Sequence, residues 1–138
     1  MIMLAFTIRN WTENDIPALA KNLNNKKIWD NCRDGLPFPY TEKDAEEFIQ
    51  FVLSQEIQSN YCIEINSASG NIGFMRDSDV ERFNAEIGYW LAEPCWNQGI
   101  MTEAIKIALE SYFRNTDILR VYANVYANNV ASIHVLEN

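Results

Sequence analysis

Residues 85–104 read AEIGYWLAEPCWNQGIMTEA and carry the clearest indication of the fold in the chain. The first seven residues are rich in strand-forming types and alternate, so they predict a strand over 85–91. Pro94 interrupts the chain after that strand, and residues 101–113 then carry apolar side chains at helical spacing. The stretch therefore predicts a strand, a short loop that contains Gly99, and a strong helix.

Successive side chains of a strand point to opposite faces of the sheet. Ala85, Ile87, Tyr89 and Leu91 are therefore expected on one face. Glu86, Gly88 and Trp90 are expected on the other.

The rest of the sequence predicts further strands and helices on both sides of residues 85–104. Strands are expected over 6–9, over 61–65 and 71–75 as a hairpin with its turn at 66–70, and over 120–126. Helices are expected over 16–23 after a cap at 12–15, over 24–30, from a cap at Thr41 with Asp44, and over 130–136. The order β-α-α-β-β-β-α-β-α indicates the α/β class, with a mixed sheet flanked by helices. The strand 85–91, the following helix and the strand 120–126 should form a right-handed parallel crossover.

Length and composition narrow the possible functions. The chain has 138 residues, with 11 Lys and Arg against 19 Asp and Glu, and a formal net charge of −8. We expect a single domain over 1–138, and an acidic chain without a cluster of cations argues against direct nucleic-acid binding. No apolar run is long enough to span a membrane and the apolar start is too short for a leader, so a soluble cytoplasmic protein is expected.

Three widely spaced cysteines, Cys32, Cys62 and Cys95, show none of the spacings of a zinc site. We expect free thiols in a reducing compartment and no bound metal.

The loop between the strand and the helix is the candidate site. Gly99 permits a positive φ or a close approach of backbone, and the amides at a helix start suit a pyrophosphate. The alternative is an ordinary strand-to-helix turn that happens to contain a glycine. The P-loop and dinucleotide fingerprints are absent from the sequence.

Several motifs in order resemble the GNAT acetyltransferase superfamily. They are residues 85–91, 96–104 and 129–132 followed by 135–137, with LPFPYT at 36–41 and DAE at 44–46. The resemblance covers nearly the whole chain and is closer to the Rim-type branch, which includes the N-terminal acetyltransferases of ribosomal proteins.

The resemblance implies that strands 85–91 and 120–126 splay apart and that acetyl-coenzyme A lies between them. Its pyrophosphate would rest on the amides of residues 98–102. The implied cofactor-binding residues are Tyr89, Trp90, Leu91, Trp96, Asn97, Gln98, Gly99, Ile100, Met101, Thr102, Asn129 and Ser132. Gly99 matches the first glycine of the family's loop, whereas Trp96 stands where Gln or Arg is expected and Met101 where Gly or Ala is expected.

Amine attack on a thioester needs a neutral amine, a polarised carbonyl and a proton for the leaving thiolate. Glu86 is the best-placed carboxylate, and the resemblance implies that it acts as the base; the alternative is an ion pair with a surface cation. Backbone amides near 88–90 would bind the thioester carbonyl. The resemblance implies Ser132 as the acid, with Tyr126 as the rival. Asn129 and Ser132 are equally explained as the cap and first turn of a helix.

The acceptor side is less defined. Trp29, Asp34, Phe38 and Tyr40 lie on or beside the loop that covers the acceptor in the Rim-type branch, and packing of that loop explains most of them equally well. Asp34 would bind a cationic amine. His134, the one histidine, is expected at the surface.

Family members continue past the last helix with a Gly-Phe turn and further strands, whereas this sequence stops at Asn138. We therefore expect an unpaired edge beside strand 120–126, with lower stability and turnover, and a homodimer as one way to cover that edge. Two functions remain open. One is a direct-transfer acetyltransferase for a primary amine, either a protein N-terminus or a small molecule. The other is a non-catalytic coenzyme A-binding or protein-interaction module.

Overall fold

The computed structural model of the protein describes residues 5–30 and 36–123. Its strands are β1 Thr7–Arg9, β2 Asn60–Ile65, β3 Ser67–Arg76, β4 Asn84–Leu91 and β5 Arg120–Tyr122. Its helices are α1 Ile16–Leu23, α2 Lys26–Asp30, α3 Glu42–Leu53 and α4 Ile100–Asn115. Short 3-10 turns lie at Glu13–Asp15, Asp79–Glu81 and Glu93–Cys95.

The described strands form one mixed sheet in the order β1-β2-β3-β4-β5. The first four strands pair antiparallel, and β4 pairs parallel with β5 after the chain has passed through α4. This confirms the predicted α/β class, the mixed sheet and the parallel arrangement of the two strands around α4. The predicted continuation of β5 over 124–126 and the predicted helix over 130–136 lie outside the described residues.

Each face of the sheet is covered by its own apolar core. The first core packs sheet residues against α4, and Ala85, Ile87 and Leu91 of β4 are buried in it. The second core packs the opposite face against α1 and α3, and Trp90 lies at its border. The predicted alternation of β4 side chains between two faces is therefore confirmed.

The hairpin between β2 and β3 is tighter than the sequence predicts. The turn expected over 66–70 is wrong, because Ser67 already pairs with Ile65. Asn66 alone reverses the chain with a φ of 65°, a conformation that asparagine tolerates better than most residues. A register shift between Ile63 and Glu64 then absorbs the irregularity.

Two of the three cysteines fall within the described residues. Cys62 and Cys95 are free and buried, and burial raises the pKa of Cys62 to about 12. Such a thiol stays protonated and unreactive at neutral pH. In the part of the chain that the structure describes, no helix has the length and apolarity to cross a membrane.

An ion pair joins β1 to the turn before α1. Both terminal nitrogens of Arg9 donate to the carboxylate of Asp15 at 2.8 Å, and its Nε donates to Glu64 at 3.1 Å. The backbone N–H of Thr12 also donates to Asp15, at 2.8 Å. Burial alone would raise the pKa of Asp15, but the bonds from Arg9 and Thr12 outweigh it and hold that pKa below its usual value.

A carboxyl with a lowered pKa stabilises the fold above its unfolded pKa of about 3.9, and the stabilisation is lost as the pH falls below that value. Asp15→Asn should therefore lower the free energy of unfolding by about 1–3 kcal/mol at pH 7. The difference from the unmodified protein should shrink below about pH 4. Urea unfolding at several pH values measures both. Asp30→Asn is the control, because its exposed pair with Lys26 at 3.5 Å contributes little; equal losses for the two variants would contradict this account.

Two glycines of the sheet differ in the space around them. A Cβ at Gly70 would lie 2.7 Å from the backbone oxygen of Trp90, whereas a Cβ at Gly88 would meet nothing within 4 Å. Gly70→Ala should lower the free energy of unfolding by about 1–3 kcal/mol, because a strand must shift. Gly88→Ala should leave it unchanged or slightly higher. Denaturant unfolding of both variants is the measurement, and a Gly88→Ala loss as large as that of Gly70→Ala would count against the described packing.

Candidate active site

The loop that leads into α4 has an unusual backbone. Asn97 has a φ of 63° and Gly99 a φ of 74°, both left-handed. Gly99 occupies the N-cap position of α4 without a side-chain cap, and a Cβ there would meet nothing within 4 Å. The first helical bond runs from the N–H of Glu103 to the oxygen of Gly99 at 3.5 Å. The amides of residues 100–102 thus have no carbonyl partner inside the helix, which suits an anion.

Trp96 ties this loop to the end of β4. Its Nε1 donates to the backbone oxygen of Leu91 at 2.7 Å. The half-buried indole ring packs against both apolar cores. The Trp96 indole N–H and the Leu91 carbonyl oxygen, both in predicted cofactor residues, are therefore bonded to each other. This bond holds the loop against the end of β4.

The other predicted cofactor residues of the loop differ in what they expose. The side chain of Ile100 is buried, so this residue offers only its backbone, whereas the side chain of Met101 is half-buried against the α4 core. Asn97 is exposed, Thr102 is half-buried, and the Gln98 amide donates back to the Pro94 oxygen at 3.2 Å. A ligand at this loop would therefore meet backbone amides at Ile100 and polar side chains at Asn97 and Thr102.

Hydrogen bonds at the two ends of β4 show in which direction its backbone N–H and C=O groups point. The N–H of Ala92 donates to the Ser69 oxygen at 2.7 Å, and the oxygen of Asn84 accepts from the Asp77 N–H at 3.0 Å. Backbone groups alternate in direction along a strand, so the even-numbered residues of β4 face β3. Of the amides near 88–90 that are predicted to bind the thioester carbonyl, those of Gly88 and Trp90 therefore face β3, and that of Tyr89 faces the other edge of β4.

The odd-numbered residues of β4 face the opposite edge. Just before the strand, the oxygen of Phe83 accepts from the Leu119 N–H at 2.7 Å. Among the described residues, the pairing with β5 reaches Glu86 opposite Tyr122, while β4 continues to Leu91. Tyr89 thus directs its backbone groups to the edge of β4 on the β5 side.

Glu86 lies on the sheet face that α1 and α3 partly cover, together with Gly88 and Trp90, as predicted. It is half-buried and lies beside Tyr122 in the parallel pairing. The Tyr122 hydroxyl donates to Asp77 at 2.8 Å, and this bond raises the pKa of Tyr122. The open space at Gly88 therefore has a carboxylate beside it on the same strand and face.

The predicted acceptor residues occupy two environments. Trp29 and Phe38 are exposed with ring centroids 5.7 Å apart, and the Trp29 Nε1 donates to the Leu36 oxygen at 2.8 Å. Tyr40 is only 6% exposed and lies in the core beneath α1 and α3. Burial raises the pKa of Tyr40 to about 12. This placement favours the packing explanation for Tyr40 and leaves the aromatic pair at the surface.

Four predicted site residues lie outside the described residues: Asp34, Tyr126, Asn129 and Ser132. Cys32 and His134 lie there as well.

Sequence reasoning missed polar residues on the same face as Glu86, chiefly Asn60, Asn71, Asp77 and Tyr122. The signal was present in β3, where Ile72 and Phe74 are buried in the α4 core. Residues 71, 73, 75 and 77 must then share the other face.

The chain belongs to the GNAT acetyltransferase family. Residues 5–138 match the family model described as "Acetyltransferase (GNAT) domain".

Similar proteins include the uncharacterised N-acetyltransferase p20 of Bacillus licheniformis, which is 33% identical over 107 residues. That match spans 72% of this chain and 60% of the relative, so the chain covers less than two thirds of the relative's length. RimL, a ribosomal protein alpha-N-acetyltransferase in complex with coenzyme A, is 26% identical with a TM-score of 0.79, over 96% of this chain and 77% of that one. The spermidine N-acetyltransferase of Vibrio cholerae, with coenzyme A and spermine, is 19% identical with a TM-score of 0.77, over 96% and 78%. The last likeness is one of fold.

The left-handed backbone at Gly99 can be tested by substitution. Gly99→Ala should lower the free energy of unfolding by about 1–2 kcal/mol, because a Cβ disfavours this conformation although the surrounding space is open. Gly99→Asn should cost less, since asparagine adopts positive φ more readily. Denaturant unfolding compares the two variants, and an alanine as well tolerated as asparagine would contradict the described loop.

Proposed function

We propose that the protein is an acetyl-coenzyme A-dependent N-acetyltransferase that acts on a primary amine, either a protein N-terminus or a small molecule. The observation that carries the proposal is the placement of the loop 96–99. It joins β4, which continues beyond its described pairing with β5, to the start of α4 in a chain of the GNAT family. The relative RimL, solved with coenzyme A, supports the donor and a Rim-type acceptor. A cytoplasmic location is part of the same proposal, because the two described thiols are free.

The residues present fit the donor. A pyrophosphate at the amides of residues 98–102 would receive N–H groups and the positive end of the α4 dipole. The bare backbone of Gly99 leaves room for close approach. The acidic Glu103 in the first turn is exposed and has Lys106 at 3.5 Å, so its charge is partly balanced. The arm of the donor would then follow the edge where Tyr89 directs its backbone.

The reaction would take place where that edge meets the face that carries Glu86. The amine nitrogen attacks the thioester carbonyl, a C–N bond forms, the C–S bond breaks, and coenzyme A leaves as the thiol. Glu86 would accept the proton that the amine loses. The proton for the sulfur would come from Ser132 or Tyr126, and Asn129 would contact the donor's arm. These last roles follow from the family resemblance.

The function is tested by calorimetric titration with acetyl-coenzyme A, followed by a thiol-release assay over a panel of peptides and small amines. The unmodified protein should bind the donor and release thiol with at least one amine. Glu86→Gln should lower kcat by about 100-fold, the usual contribution of a general base. The Kd for acetyl-coenzyme A should change little.

Glu110→Gln is the matched control, because it removes the same charge from an exposed pair with Arg114 at the far end of α4. An equal loss in both variants would contradict a role for Glu86 at the reacting atoms. Donor binding without thiol release across the panel would favour the non-catalytic module instead. Failure to bind the donor would overturn the proposal.

A further inference from the structure

The carboxylate of Glu93 bonds helix α2 to the segment that leads into the loop 96–99, which is called the donor loop below. Glu93 lies in the 3-10 turn between β4 and that loop. Its Oε1 accepts a hydrogen bond from the Asn25 Nδ2 at 2.9 Å, and its Oε2 accepts one from the Lys27 Nζ at 2.9 Å. Asn25 directly precedes α2, and Lys27 is the second residue of that helix. Both oxygens of one carboxylate therefore bind the start of α2.

The direction of the Asn25 amide is set by α2 itself. Its Oδ1 accepts from the backbone N–H of Lys27 at 2.8 Å and from that of Ile28 at 3.4 Å. An amide whose oxygen is bound in this way turns its NH2 group to the other side, and this group donates to Glu93. The bonds from Asn25 and Lys27 hold the pKa of Glu93 below its usual value, so the carboxylate is charged at neutral pH. An oriented amide and a cation thus face a charged acceptor.

Helix α2 also carries one member of the exposed aromatic pair. Trp29 lies on α2, and the centroid of its ring is 5.7 Å from that of Phe38. The Trp29 Nε1 donates to the Leu36 oxygen at 2.8 Å. The aromatic pair, which is predicted to contact the acceptor, is therefore attached to the helix that Glu93 holds.

The donor loop and α2 differ in how firmly they are held without the Glu93 carboxylate. The donor loop is anchored by the bond from the Trp96 indole to the Leu91 oxygen at 2.7 Å, and the preceding Cys95 is buried. Helix α2 has five residues, of which only Ile28 is buried. A helix this short depends on tertiary contacts. Loss of the Glu93 bonds should therefore loosen α2 and leave the donor loop in place.

From this asymmetry we propose that Glu93 is a positioning residue of the acceptor site, which sets the orientation of α2 and Trp29 relative to the donor loop. The inference rests on the proposed acetyltransferase function and on the predicted acceptor role of Trp29. When the binding-competent arrangement is populated for only part of the time, the acceptor binds more weakly in proportion to that fraction. Loss of the Glu93 carboxylate therefore raises KM for the amine and leaves kcat and the Kd for acetyl-coenzyme A nearly unchanged.

Thiol release with acetyl-coenzyme A as the donor gives KM and kcat for two amines. Spermidine and triglycine amide are the probes, because they represent the small-molecule and the peptide acceptors. Glu93→Ala removes both bonds and should raise KM by about 5-fold, the size expected for exposed charged contacts. Glu93→Gln should raise it by less, because its oxygen still accepts from Asn25 while its NH2 group faces the Lys27 ammonium.

Glu110→Ala is the matched control, because it removes a carboxylate from an exposed ion pair with Arg114 on α4. It should leave KM for both amines unchanged. Calorimetric titration of each variant gives the Kd for acetyl-coenzyme A, which should stay the same throughout.

A double-mutant cycle separates positioning from a general structural effect. Trp29→Ala alone should raise KM for the amine. Glu93→Ala in the Trp29→Ala protein should raise it no further, because Glu93 acts through that side chain.

Several results would overturn the inference. An unchanged KM in Glu93→Ala, or additive effects of Glu93→Ala and Trp29→Ala, would exclude the positioning role while the proposed function stands. A Kd for acetyl-coenzyme A that rises as much as KM would also exclude it, since Glu93 would then support the donor loop. Donor binding without transfer to either amine would exclude the acceptor site as described. Failure of the unmodified protein to bind acetyl-coenzyme A would overturn the proposed function, and the inference with it.

Discussion

The register of β4 is the constraint on which the rest of the structure depends. Its pairing with β3 sends Ala85, Ile87 and Leu91 into the core beneath α4 and places Glu86 and Gly88 on the opposite face. The same register directs the backbone groups of the odd-numbered residues to the edge of β4 on the β5 side. A shift by one residue would bury Glu86 and expose the apolar set. The register of this strand therefore determines both the core packing and the geometry of the candidate site.

The second constraint is a buried polar chain that reaches the surface. The donor-only indole of Trp11 orients Asn71, and Asn71 orients Asn60 over Gly73. Buried polar groups are costly unless all are paired, and no buried side-chain nitrogen or oxygen of the described residues lacks a partner. Because each bond orients the next side chain, the side-chain amide of Asn60 has a defined direction without any ligand.

Much of this could be predicted from the sequence, because the signals were local. Alternation identified β4 and its two faces, helical spacing identified α4, and Thr41 with Asp44 identified the start of α3. The hairpin was misplaced because the left-handed Asn66 and the adjacent register shift leave no reliable local pattern. The placement of Gly73 between Asn60 and Gly88 in the sheet depends on that register. It could not be seen until the pairing of three strands was known.

The dependence on the fold also limits how much of the candidate site the sequence predicts. The loop with Gly99 was recognisable from consecutive residues, whereas the bond from Trp96 to the Leu91 oxygen and the proximity of Tyr122 to Glu86 depend on the fold. The central claim is that acetyl-coenzyme A binds at the amides before Glu103. An NMR titration of the 15N-labelled protein with acetyl-coenzyme A tests it most directly. The account predicts saturable shifts of the Gly99, Ile100 and Met101 amides, with the amides of α3 unmoved. Saturable binding that leaves the amides of residues 98–102 unperturbed would contradict it.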